Sequence, residues 1–84
     1  MAKLYSTHIK KITHQLIIAS MTLHDAGKLP EAASMIKKTG VFFLPEYAAK
    51  PNNKSFKELK NKYDQTQNII TTSMIEAMQK KLFN

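Results

Sequence analysis

Apolar residues recur along the first third of the chain in alternating steps of four and three, at Tyr5, Ile9, Ile12, Leu16, Ala19, Leu23 and Ala26. That spacing keeps one side of a 3.6-residue helix apolar and predicts a long amphipathic α-helix. Ser6 or Thr7 can cap its start, and Gly27 can end it in the left-handed conformation. The last third carries the same signature. "SFKE" puts Ser55 and Glu58 at capping-box spacing before an apolar run, and Phe56, Leu59, Tyr63, Thr66, Ile70, Met74 and Ala77 fall on one face of a helix reaching about Leu82.

Gly27, Pro30, Gly40, Pro45 and Pro51 all fall between these flanks. In "LPEAASMIKKTG", Pro30 suits a first helical turn, Glu31 the positive end of the helix dipole, and Lys37 and Lys38 its negative end. A short helix from Pro30 to Thr39, stopped by Gly40, is predicted. "FLPEYAAK" then starts again with Pro45, giving one or two further turns before "PNN". No alternation of apolar and polar residues competes for a strand. The fold class that follows is all-α: one domain over residues 1–84, with two long antiparallel helices and two short helices between them, a three- to four-helix bundle.

One face breaks the pattern. Ile17, Ile18 and Met21 project away from the apolar seam of the first helix, where Lys10, Lys11 and His14 stand one or two turns earlier. Something must cover them. The run "VFFLPEY" at 41–47 is the natural cover from within the chain, and a second molecule the natural cover from outside it. The candidate partner-binding residues are therefore Ile17, Ile18, Met21, Phe42, Phe43, Leu44 and Tyr47. Aromatic and large aliphatic anchors of this type dominate interface energetics.

Composition narrows the chemistry. With 84 residues, apolar burial and the entropy of ordering the chain are of similar size, so a partner or a second copy would be a natural stabiliser. No cysteine is present to supply a disulfide framework. No apolar run reaches the ~18 residues of a membrane span, and "LIIASM" is too short and too late for a secretory leader, so a cytoplasmic protein is expected. His8, His14 and His24 lack the i, i+4 spacing of a helical metal site, and no two acids are close in sequence. With two glycines there is no phosphate-cradling loop. The expectation is a non-enzymatic protein without metal or cofactor.

The net charge of +7 comes from 13 lysines without a single arginine. Lysine, asparagine and isoleucine codons are AT-rich, so nucleotide composition alone can generate that balance. Lys50, Lys54, Lys57, Lys60 and Lys62 form the densest basic stretch and are the residues of an alternative reading, non-specific nucleic-acid binding through phosphates. "EAASMIKKTGV" loosely suggests a helix-turn-helix, but the segment that should read bases, "FFLPEYAA", is apolar and interrupted by proline. The main expectation is thus a small helical module that regulates or inhibits a larger protein, or associates with itself. Its size and composition suit inhibitors, antitoxins, immunity proteins and lysis or transcription regulators of viruses and plasmids.

Overall fold

The computed structural model describes the backbone of residues 2–83 and the side chains of residues 7–82. Among the described residues there are three α-helices and no strand: α1 (Ala2–Asp25), α2 (Leu29–Ala49) and α3 (Lys54–Phe83). The all-α class holds, but the two short middle helices are one. α2 runs without interruption through both Gly40 and Pro45. The chain therefore reverses twice, and the long helices α1 and α3 run parallel. His24 near the end of α1 bonds Ser73 of α3 through Nε2 at 2.7 Å, while His14 lies level with Lys62 and Thr66.

Gly27 closes α1 as its sequence context predicts. Its φ is +79°, its N–H donates to the His24 carbonyl at 3.0 Å, and the Lys28 N–H donates to the Leu23 carbonyl at 2.9 Å. This pair of bonds is a Schellman motif, in which the left-handed residue satisfies the last orphan carbonyls. The start of α1 differs from expectation. The helix begins at Ala2 and continues through Ser6 and Thr7, so neither caps it; the side chains of Tyr5 and Ser6 lie outside the described residues. α3 begins two residues earlier than the Ser55–Glu58 box implies. Asn53 caps it, its Oδ1 accepting the Phe56 N–H at 3.2 Å.

Gly40 does not stop α2; it lies within the helix, where the Tyr63 side chain of α3 packs on its α-carbon. A Cβ at this position would overlap the Tyr63 hydroxyl and stand 3.1 Å from the ring carbon that bears it. Only glycine leaves room for the tyrosine ring. The core face of α2 is Ala32, Ile36, Thr39, Gly40 and Phe43, at steps of three and four with Thr39 and Gly40 adjacent. That of α3 is Phe56, Leu59, Tyr63, Thr66 and Ile70, as the sequence predicts. Met74 is half-buried, and Ala77 is exposed.

The buried line of α1 is Ile9, Thr13, Ile17 and Ser20, rotated from the expected seam. Ile12 is 41% exposed, and Ala26 is on the surface. Small polar residues are buried in the bundle, and Ser20 and Thr39 bond to their own helices. Ser20 Oγ donates to the Leu16 carbonyl at 2.9 Å and Thr39 Oγ1 to the Met35 carbonyl at 2.8 Å. Thr13 Oγ1 is buried with no partner.

Ile17, expected on an outer face, is therefore core, because α3 and not the 41–47 run lies against that part of α1. Phe43, expected to be part of a binding surface, is fully buried. It stacks on Tyr47 (ring centroids 6.0 Å apart) and meets Phe56 edge-on at 5.9 Å, closing the end of the bundle where α2 turns into α3.

Candidate functional site: an apolar groove between α2 and α3

Opposite α1, α2 and α3 diverge and leave an open groove of about 730 Å³. Its floor is Ile36, Gly40, Tyr63 and Ile70, its α2 wall is Val41, Leu44 and Pro45, and Met74 closes one end. Val41 is 74% exposed and Leu44 36%. The one charged residue in the lining is Lys37. Burial pushes the Tyr63 hydroxyl above its ordinary pKa, the charge of Asp64 adds to the shift, and Lys60 opposes it, so the phenol stays protonated in the groove at neutral pH. Pro45 brings a second polar feature. It has no N–H to offer the Val41 carbonyl, which thus lacks its ordinary helical donor beside the α2 wall.

The structure distributes the sequence-derived partner residues over several surfaces instead of joining them. Ile18 is 51% exposed and, with half-buried Met21, borders a smaller groove of about 280 Å³ between α1 and α3, together with His14, Asp25 and Lys62. Phe42 is half-buried on the far side of α2, in a depression with Ser34, Lys38 and Val41. Leu44 alone of the seven lines the α2/α3 groove. Tyr47 is half-buried under Lys60, whose Nζ is 5.9 Å from its ring.

Sequence reasoning missed Ile36, Val41, Ile70 and Met74 as groove residues. The signal was present in Val41, an apolar residue directly after a glycine within a helix. It was obscured because Gly40 reads as a stop.

The five lysines of the nucleic-acid alternative do not make one surface either. Lys54 and Lys57 are exposed on the first turns of α3, whereas Lys62 belongs to the α1/α3 groove. Lys60 is drawn to Asp64, with both carboxylate oxygens within 2.8 Å. Lys50 lies before α3 and is exposed. Among the described residues, no group of three or more His, Cys, Asp or Glu side chains is placed to hold a metal ion, and no helix is long and apolar enough to cross a membrane. No known family, characterised protein or solved structure matches the chain.

Proposed function

We propose that the protein is a binding module that regulates or inhibits a larger protein by holding an acidic, amphipathic helical segment of it in the α2/α3 groove. The observation that carries this reading is the groove itself: an open apolar trough between two helices, with exposed Val41 and Leu44 on its wall and Lys37 as its charged residue. Helix-in-groove recognition uses that form, with apolar anchors at i, i+3, i+4 and i+7 entering the trough while charges at the rim select the partner. An excess of lysine over acid across the whole chain adds attraction for an acidic segment at long range. The reading assigns no catalytic residue.

A synthetic acidic amphipathic helix, with leucines at those positions and glutamates beside them, tests it by amide chemical-shift mapping. Shifts are expected at Ile36, Gly40, Leu44, Ile70 and Met74. Leu44→Asp should weaken binding at least tenfold, equivalent to ~1.4 kcal/mol or more, while the helical circular dichroism is kept. Shifts confined to α1, or affinity that Leu44→Asp leaves untouched, would overturn the reading. So would tight binding of duplex or single-stranded nucleic acid that weakens steeply with salt and depends on Lys54 and Lys57.

A further inference from the structure

Ser73 uses its hydroxyl differently from other hydroxyls on these helices. Ser20, Thr22 and Thr39 each donate to the carbonyl four residues back on their own helix. Ser73 instead reaches across to α1, where its Oγ lies 2.7 Å from Nε2 of His24. The other ring nitrogen, Nδ1, is 3.0 Å from Oδ1 of Asp25. A carboxylate can only accept, so Nδ1 carries the proton, Nε2 of the neutral ring accepts, and the Ser73 hydroxyl donates to it. Hydroxyl, imidazole and carboxylate thus stand in the order nucleophile, base and orienting group.

Spacing along the chain hides this set, because 49 positions separate His24 from Ser73 and only the parallel run of α1 and α3 joins them. The pair is partly shielded from water. The His24 side chain is 19% exposed, and Ser73 is half-buried. Asp25 is 71% exposed, so its charge is screened and its part is to hold the ring in one tautomer.

An apolar cleft of about 270 Å³ opens one turn further along both helices. Gly27, three residues after His24, and Ala77, four after Ser73, line it together with Leu29, Pro30 and Met78. The cleft offers room for a short apolar chain beside the hydroxyl. Its charged residue is Lys81, and the start of α2 borders it without a side-chain cap, so positive charge and uncapped N–H groups face the same region. Groups of that kind stabilise the oxyanion that forms when a nucleophile adds to a carbonyl.

We propose that Ser73 is a nucleophile activated by His24, and that it takes the acyl group of a small ester whose acyl chain is short and apolar. Ser73 Oγ bonds to the carbonyl carbon as its proton passes to Nε2 of His24. The ester C–O bond then breaks, and the alcohol leaves with that proton. Water, deprotonated by the same nitrogen, cleaves the acyl-serine and releases the carboxylic acid with the free hydroxyl restored. None of Ser73, His24 and Asp25 lines the α2/α3 groove, so this proposal does not rest on the groove reading.

A fluorophosphonate with a short alkyl chain tests it on the full chain, since an activated serine hydroxyl displaces the fluoride and keeps the phosphonyl group. Peptide mass spectrometry should place a single adduct on Ser73 and none on the exposed Ser34. His24→Gln can still bond to Ser73 but cannot take up its proton, so labelling should slow at least tenfold with unchanged helical circular dichroism. With p-nitrophenyl butanoate, release of nitrophenolate should be lost in Ser73→Ala and kept in Leu44→Asp, so failure of this site and failure of the groove are separable. No adduct, adducts spread over other serines and lysines, or equal labelling of His24→Gln would each overturn the proposal and leave the Ser73–His24 bond as a tie between α1 and α3.

Discussion

Gly40 and Tyr63 decide how closely α2 and α3 approach, and each explains the other. A glycine within a helix costs about 1 kcal/mol relative to alanine, so its presence at this buried position calls for a compensating contact, and the tyrosine ring on its α-carbon is that contact. Gly40→Ala should therefore destabilise despite its better helix propensity. The overlap with the hydroxyl costs about 1–3 kcal/mol as overpacking, against the ~1 kcal/mol gain, for a net loss of up to about 2 kcal/mol in urea unfolding. Tyr63→Phe removes the oxygen that blocks the new methyl. In that background Gly40→Ala should be close to neutral, and the double-mutant cycle should give a coupling of about 1 kcal/mol or more. Additive losses would show that the two residues do not act on each other. This pair also marks what residue-level reading could not reach. Tyr63 was legible as core from its place on the α3 face, but a glycine that ends a helix and a glycine that admits a neighbour look alike in one dimension. Thr13 and Ser20 misled in the same way. Counted as polar, they turn the apparent face of α1 toward Ile12 and Leu16, yet small side chains are what a helix needs where it is wedged against two others.

At the scale of the element, α3 and the end of α1 were legible because local signals and tertiary packing agree there. The period of α3 runs unbroken from Phe56 to Ile70, and Gly27 adopts the positive φ that its position demands. In α2 the two disagree. Pro45 should end or kink a helix, but Phe43 and Tyr47 on either side of it are held in the aromatic cluster with Phe56, and that packing carries the helix through to Ala49. Burial of aromatic surface outweighs a lost backbone bond. The groove was illegible for the same reason. It exists only if α2 is one continuous element, so a reading that broke the helix at Gly40 could not bring Ile36 on the floor and Leu44 on the wall into one groove. It follows that the proline holds the helix below its attainable stability. Pro45→Ala supplies the N–H that the Val41 carbonyl lacks and should raise unfolding free energy by about 1–3 kcal/mol, with a higher urea midpoint and an unchanged slope. The same change removes a ring from the groove wall, so it should weaken the acidic helix probe as it stabilises the fold. A loss of stability would instead assign the proline ring a packing role larger than the backbone term.

As a whole molecule the protein is a rod, 55 Å long and 20 by 16 Å across, with a radius of gyration of 14.5 Å where about 12 Å is expected for a compact chain of 84 residues. The elongation comes from unequal helices. α1 has 24 residues, α2 has 21 and α3 has 30, so the three do not cover one another along their whole length. Ile75, Met78 and Leu82, on the last turns of α3, are left 51%, 62% and 77% exposed. Charge acts on the rod as a whole. Screening the net +7 should raise the melting temperature between low and physiological salt, because self-repulsion within the chain is relieved while apolar burial is unaffected. A melting temperature that falls with salt would show instead that ion pairs such as Lys60–Asp64, and not net repulsion, dominate the electrostatics of the fold.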